Sequence, residues 1–235
     1  NSEVKLEGGM FNTYRALAMI NLLGENDHLF SKFKENLYVA GEFVHTDAYF
    51  DNKQDFNRTN LFAKYSGLLS ERTHLSLTAS TFAANWNASG QVPSRAVQEG
   101  LIDRFGSIDP SEGGNTDRTN VNATLTTRLN NEAVIKNELY YVNYGFSLFS
   151  DFTFFLVDTV HGDMINQRDH RNIVGYNGSY TQHALIGGKP LRWTAGLGAR
   201  ADMAYIQLLH AEQRTVLDTI RSGHLDQVNP SAYLD

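Results

Sequence analysis

Residues 119–129 read T-N-V-N-A-T-L-T-T-R-L. Thr119, Val121, Ala123, Leu125, Thr127 and Leu129 alternate with Asn120, Asn122, Thr124, Thr126 and Arg128. Successive side chains of an extended strand point to opposite faces, so this pattern is a strand with one apolar and one polar face. Two other stretches repeat it. Leu75, Leu77, Ala79 and Thr81 alternate with His74, Ser76, Thr78 and Ser80. Leu191, Trp193, Ala195, Leu197, Ala199 and Ala201 alternate with Arg192, Thr194, Gly196, Gly198, Arg200 and Asp202. Such runs exceed the ~5–6 residues of an ordinary soluble strand and match the roughly 9–11 of a tilted strand crossing a bilayer.

Working outward, the chain reads as nine strands, near 3–8, 13–23, 37–47, 58–69, 73–85, 118–129, 133–147, 171–183 and 191–204. The 133–147 segment alternates poorly, because Tyr140 and Tyr141 are adjacent. From 205 onward, Leu208, Leu209, Val216, Leu217 and Ile220 fit a tenth strand or a short helix. Tight connections at 69–73, at Asn130-Asn131 and at Gly187-Gly188-Lys189-Pro190 alternate with long ones at 48–57, 86–117, 148–170 and 205–235. Short turns on one side and long loops on the other are the habit of outer-membrane barrels. The 24–36 connection is longer than this parity expects. All four prolines, Pro93, Pro110, Pro190 and Pro230, read as lying in connections or at a strand start. The expected fold is all-β: an antiparallel, up-and-down transmembrane β-barrel, here a partial barrel of about nine or ten strands occupying residues 1–235.

Composition narrows the alternatives. The 235 residues contain no cysteine, which excludes disulfide scaffolds, thiolate metal sites and thiol nucleophiles. The net charge is -6, against the clustered basic charge that nucleic-acid binding needs. A hydrophobic share of 41% excludes a disordered chain. No apolar run is long enough for a transmembrane helix, and no secretory signal pattern is present. None of this bears against a barrel, whose strands need no continuous apolar run.

Some segments also carry a family likeness. Asn36 to Phe56, NLYVAGEFVHTDAYFDNKQDF, with Asn57-Arg58-Thr59-Asn60 after it, resembles the early barrel of TonB-dependent outer-membrane receptors. The opening Glu7-Gly8-Gly9-Met10-Phe11-Asn12-Thr13-Tyr14-Arg15 is similar to the first barrel hairpin after the plug of that family. The stretch from Ala88 to Arg118, ASGQVPSRAVQEGLIDRFGSIDPSEGGNTDR, is similar to a loop of a Bacteroidetes-type branch. The resemblance implies a Gram-negative outer-membrane location. It also implies lipid contact and energy-dependent uptake of a scarce solute, such as an iron chelate, driven through TonB. It implies no enzymatic activity and no cofactor. The family's barrels have 22 strands and an N-terminal plug with a TonB box. This sequence shows neither plug nor box and has too few strands. It ends at Pro230-Ser231-Ala232-Tyr233-Leu234-Asp235, which reads as loop. The expectation is therefore the N-terminal part of a barrel.

The 86–117 loop carries the richest chemistry. Ser94 is placed to cap a short helix with Val97, Leu101 and Phe105 on one face and Gly106 at its end. Trp86, Arg95, Arg104 and Asp109 are the candidate ligand-binding residues, since arginine forks suit carboxylate or phosphate groups. The same arginines suit an ion-pair network that only holds the loop in shape. No metal site is assigned. His45 with Asp47 and Asp51, and His161 with Asp163 and His170, have ligand-like spacing but form no tight motif. A calcium site among the carboxylates of 103–117 is conceivable, though no EF-hand spacing is present. Aromatics such as Tyr38, Phe43, Tyr49, Phe50, Phe82, Trp86, Tyr140, Tyr141, Tyr144 and Phe146 fit interface girdles or ordinary strand composition. The apolar run Phe146–Val157 either continues a strand above the membrane or packs on another loop. The four N-x-S/T sequons at Asn57, Asn87, Asn122 and Asn177 read as chance. Two rival readings remain: an outer-membrane barrel hydrolase using histidine and carboxylates, and a soluble carbohydrate-binding β-sandwich.

Overall fold

In a computed structural model, residues 2–24, 27–31, 33–130 and 132–235 are described. Ten strands follow one another: β1 (Glu3–Gly9), β2 (Thr13–Asn21), β3 (Glu35–Thr46), β4 (Phe56–Ser70), β5 (Thr73–Asn87), β6 (Gly113–Arg128), β7 (Ala133–Ser150), β8 (Ile165–Ile186), β9 (Lys189–Glu212) and β10 (Thr215–Leu234). They form a single antiparallel sheet in chain order, with β1 and β10 at its edges. One sheet with no second layer cannot be a sandwich, which buries a core between two packed sheets. The burial agrees. Among the described residues only Tyr65, Ala84, Ala133, Met164, Ala204, Leu209 and Ala211 are buried apolar residues, while Leu61, Leu77, Val121, Leu139, Val174 and Leu197 stand exposed.

The pairing register explains that exposure. Ala123 pairs with Leu77 on β5 and Leu139 on β7; beyond them lie Tyr65, Tyr176 and Ala199. Paired residues share a face, so this is an apolar row running around the sheet. One step along each strand, Asn122 pairs with Thr78 and Tyr140, and the row continues to Lys64, Gly175 and Arg200. The alternation read from 119–129 thus holds across the strands as one apolar and one polar face. Tyr140 and Tyr141 obey it too. Tyr140 lies over Gly175 on the polar face, and Tyr141 on the other face donates its hydroxyl to Asn172 Oδ1 at 2.7 Å.

The polar face is laced across strands. Arg15 pairs with Glu42 at 2.6 Å and Glu7 at 3.0 Å, and Arg58 and Asn60 reach the same Glu42 carboxylate at 2.9 and 2.6 Å. Further along, Asn122 donates to Glu138 at 2.7 Å, and Arg200 grips Asp202 at 2.7 Å.

The strands separate two rims. One carries the connections 47–55, 88–112 and 151–164 with the tight hairpins 10–12 and 213–214; the other carries 22–34, 71–72, 129–132 and 187–188. The segment 22–34 remains the exception to the short side. The turn placed at Asn130-Asn131 lies partly outside the described residues, since Asn131 is not among them.

Three expectations are corrected. The connection read at 148–170 narrows to 151–164, because β7 runs to Ser150 and β8 starts at Ile165, and the segment 205–235 is mostly strand, because β9 runs to Glu212 and β10 spans Thr215–Leu234. Of the two readings open for the stretch after 205, the tenth strand is the one formed, as β10, and the short helix is not. Its pairing shifts between Val216 and Asp218 and again between Thr219 and Arg221. Each shift adds an unpaired residue and breaks the period of two, leaving apolar residues three and four apart. Pro230 lies within β10, paired to Ala199, and not in a loop. An edge strand tolerates a proline whose missing N–H would face away from the ladder.

Candidate functional site

The long-loop rim gathers the chemistry. Its largest element, 88–112, contains one short helix, α1 (Ser94–Gln98). Ser94 does not cap it: Pro93 holds the capping position, with φ -61° and ψ 128°, and no side chain caps the helix. Nor does the helix run to Gly106. Gly100 sits at φ +69°, and the N–H groups of Gly100 and Leu101 bond back to Val97 and Ala96 at 3.1 and 2.9 Å. This left-handed glycine stop satisfies the last carbonyls and turns the chain out. Leu101 and Phe105 lie beyond it and share no helical face with Val97.

The four candidate residues are not brought together. Trp86 stands near the end of β5, opposite Gly114. Arg95 projects from α1 and is exposed, with no ion pair among the described residues. Asp109 is spent locally, accepting from the Ser111 backbone N–H at 2.8 Å and the Ser111 hydroxyl at 2.5 Å. Arg104 has a different neighbourhood. Its guanidinium lies 5.3 Å from the Phe105 ring centroid. Phe105 meets Tyr49 edge-on at 5.5 Å and Phe50 at 6.3 Å; Tyr49 stacks on Phe50 at 4.5 Å, and Phe11 reaches Tyr49 at 6.3 Å. The Asp51 N–H bond to the Phe105 carbonyl at 3.1 Å ties the 47–55 and 88–112 loops beneath this cluster. Phe11, Tyr49 and Phe105 remain exposed. Tyr49 and Phe50 therefore belong to a rim platform with an exposed cation on it. Phe50 and Phe105 are 55 positions apart, and no periodicity links them.

The base of the 88–112 loop is fastened from a distance. Gln213 and Arg214 form the β9–β10 turn at φ +48° and +67°. Arg214 donates to the Ser111 carbonyl at 2.6 Å, the Glu112 carbonyl at 2.8 Å and Asn87 Oδ1 at 2.9 Å. Beside this clasp the Glu112 side chain is buried, and its Oε1 has no hydrogen-bond partner. Gly90, at φ +65°, lies against it so closely that a Cβ there would overlap the carboxyl group. Burial above all, with the Asp109 and Asp151 charges acting in the same direction, pushes the Glu112 carboxyl up to about 7. Asp151, also buried, is raised for the same first reason.

The 151–164 loop is organised by its own carboxylates. Asp163 accepts from the backbone N–H groups of Leu156, Val157 and Asp158 at 2.9, 3.0 and 2.7 Å. Asp158 accepts from Val160 and His161. These bonds hold both acids below the usual carboxylate range, led by the Asp158 N–H for Asp163 and the His161 N–H for Asp158. The run Phe146–Val157 divides. Its first part continues β7, and Phe152, Phe155, Leu156 and Val157 then stand exposed.

Metal-ligand spacing leads elsewhere than the sequence expected. His45 is joined by Asp47 at 3.5 Å and Asp55 at 3.7 Å, and Asp51 takes no part. The two acids flank opposite ring nitrogens. Those nitrogens already meet Asn12 Nδ2 at 3.1 Å and Asn57 Oδ1 at 2.9 Å. Lys53 lies 2.9 Å from Asp47 and, as the leading cause, lowers its carboxyl. A bound ammonium and a ring already spent on both sides make this a hydrogen-bond network, not a cation site. His161 pairs with Asp158 at 3.3 Å, while Asp163 is engaged by backbone N–H groups and His170 lies away on β8.

No family model matches the chain, and no curated protein does. Among solved structures, it is similar to the ferric citrate transporter FecA in its unliganded form, with a TM-score of 0.68 at 10% identity over 98% of this chain. It is also similar to a chain of the FpvAI–pyocin S2 complex, with a TM-score of 0.71 at 12% identity over 99% of this chain. It spans 33% and 34% of those chains, about one third of each. At these identities the likeness is one of fold: the chain is an all-β, antiparallel partial barrel of the outer-membrane kind.

Proposed function

We propose that these residues form the barrel part of a TonB-dependent receptor in a Gram-negative outer membrane. The observation that carries the reading is the pair of neighbouring rows. The row through Ala123 presents apolar side chains around the sheet, and the row through Asn122 presents polar ones. That is the requirement for a wall between lipid and an aqueous lumen. The loop asymmetry supports it: 47–55, 88–112 and 151–164 share one rim, and on this reading that rim is the outer one.

On this reading the protein transports and does not catalyse. The solute is captured at the outer loops, and an iron chelate rich in carboxylates suits the exposed Arg95 and Arg104. One of the two similar structures is named as a ferric citrate transporter, which agrees with that class. Energy would come through TonB acting on a plug and TonB box, as in the family that residues 36–60 resemble. The Bacteroidetes-type branch rests on the 88–118 likeness. The hydrolase alternative is disfavoured by His45, whose two ring nitrogens are already engaged.

The test is uptake. Cells expressing the full-length protein should accumulate radiolabelled iron supplied as carboxylate-rich chelates, and should lose that uptake when TonB is removed. Equal accumulation with and without TonB would overturn the reading.

A further inference from the structure

The segment 22–34 is long for its rim, which 71–72, 129–132 and 187–188 close in tight turns. Uptake through the opposite rim gives that length no use. Its residues 27–31 are fastened by one buried acid. The Glu35 carboxylate, only 4% exposed, accepts the Leu29 N–H at 2.5 Å, the Phe30 N–H at 3.1 Å and the Tyr65 hydroxyl. A carboxylate out of water needs such donors, and here they pin the backbone of the turn. Three further polar side chains are spent inside the segment. Asp27 accepts the Gly24 N–H at 2.8 Å, His28 Nδ1 donates to the Phe33 carbonyl at 3.0 Å, and Ser31 Oγ accepts the Phe33 N–H at 3.0 Å. The turn is left with apolar groups on its outside. Leu29 is 52% and Phe30 71% exposed, although Phe30 also meets the Tyr65 ring edge-on at 5.3 Å.

The pairing register decides which face the turn covers. Glu35 pairs with Gly67, and Tyr65 pairs with Leu37 and Leu77. Residues two apart on a strand share a face, so Glu35 and Tyr65 do too. Leu77 pairs in turn with Ala123, which makes this the apolar face. A Cβ on Gly67 would run into the Tyr65 hydroxyl and the Glu35 side chain, so the two meet directly over that glycine. The turn therefore packs back over the apolar face at its short-loop end, not into the polar side of the sheet. An apolar pair held outward beside an apolar wall has the character of an interfacial anchor. Lys34, exposed next to the turn, suits the same place, because its stem can lie on apolar surface while its ammonium stays in water.

We propose that the 27–31 turn is a membrane anchor: latched by Glu35, it places Leu29 and Phe30 in the boundary of the lipid leaflet on the short-loop side. The anchor rests on the membrane reading of the apolar face. It sets the depth of the sheet at this rim and needs neither TonB nor a transported solute.

The experiment measures depth in the full-length protein, held in phosphatidylethanolamine–phosphatidylglycerol nanodiscs. A nitroxide is attached to Leu29→Cys, to Leu77→Cys on the apolar row, or to Glu71→Cys in the tight turn on the same rim. Residues 1–235 contain no cysteine, so each introduced thiol is the only one among them. Oxygen concentrates in hydrocarbon and a nickel chelate stays in water, so their relaxation of the label reports which solvent it meets. At Leu29→Cys oxygen should outweigh nickel, as at Leu77→Cys, and the order should reverse at Glu71→Cys. If Leu29→Cys fails to fold, Phe30→Cys is read by the same criterion. A Leu29 label that reads as water while the Leu77 label reads as hydrocarbon overturns the anchor and leaves the membrane reading standing. Water-like labels at both positions overturn both. A Leu29 label shielded from both reagents means that protein covers the turn, and this also overturns the anchor.

Discussion

Arg214 Nη2 lies 2.9 Å from Asn87 Oδ1, although 127 positions separate the two residues. The contact joins the tip of the β9–β10 hairpin to the place where β5 gives way to the 88–112 loop. The same guanidinium also holds the Ser111 and Glu112 carbonyls. Arg214→Ala removes all three acceptors' donor at once. Hydrogen bonds from a charged donor contribute about 1.5–3 kcal/mol each, less when partly exposed. The expected result is a local loss of about 2 kcal/mol, read as faster amide exchange at 86–90 and 110–114 with β2–β4 unchanged. Arg214→Lys should behave nearly like alanine, because a single ammonium cannot reproduce the fork. Unaltered exchange in both variants would mean that the loop holds itself.

Glu112 gives the rim a pH dependence. Its carboxyl is raised from 4.5 to about 7 by burial, so the folded state binds the proton more tightly than the unfolded one. The stabilisation is therefore complete below about pH 4.5, falls as pH rises toward 7, and is gone above that. The shift corresponds to roughly 3 kcal/mol. In metal-free buffer, Glu112→Gln should match wild type near pH 4 and exceed its stability above pH 7. Asp151, shifted in the same direction, leaves a residual slope in the variant. Parallel stability curves for the two proteins across this window would remove Glu112 as the cause.

The fold was legible in the middle of the strands and less so toward the long-loop rim. Between Thr119 and Leu129 successive side chains fall on the apolar row and the polar row in turn, and the membrane reading assigns those rows to lipid and lumen, two solvents that write a period of two. Beyond those limits, β6 extends back to Gly113 and β8 to Ile165 through polar residues. Strand pairing there is held by backbone bonds and leaves no alternation to read. In β10 the two register shifts scramble the pattern further. The site was legible only in its general position. Arg104 was visible as a loop cation, but the ring beneath it belongs to a cluster assembled from three loops. Glu112 looked like any loop acid, because its burial depends on Gly90, Asp151 and the clasp from Arg214. Two of those partners are far away in sequence, and the clasp acts through carbonyl oxygens that every residue possesses.

The aromatic platform separates the two loop arginines. Arg104 lies over Phe105, whereas Arg95 stands exposed on α1 with no ring contact among the described residues. A ligand with both a flat face and a carboxylate would meet the platform and the Arg104 fork together. Arg104→Ala should therefore weaken binding of such a chelate by about tenfold or more, the equivalent of one charge-assisted hydrogen bond. Tyr49→Ala should do likewise by removing the stack with Phe50. Arg95→Ala should have the smaller effect. Thermal stability measured alongside keeps loop damage apart from lost recognition. Equal losses at Arg95 and Arg104 would mean that charge alone, and not the platform, holds the ligand.

The membrane assignment is tested most directly by neighbouring residues that differ in face and little else. Ala123 and Asn122 are consecutive in β6, and their flanking partners are Leu77 and Leu139 for one, Thr78 and Tyr140 for the other. Both side chains are smaller than arginine, so steric replacement costs are of similar kind. What differs is the solvent each new guanidinium meets. On the apolar row it enters hydrocarbon, where a charge near the midplane costs roughly 2–4 kcal/mol. On the polar row it meets water and the Glu138 carboxylate, which already accepts from Asn122 at 2.7 Å. Ala123→Arg should therefore destabilise the full-length barrel in lipid by that amount, while Asn122→Arg should cost far less. Ionic strength provides a second reading. Salt should change the Asn122→Arg cost, where the new charge is solvated, and leave the Ala123→Arg cost nearly fixed. Equal costs at the two positions would mean that the row through Ala123 does not face lipid, and the transport reading would fall with it.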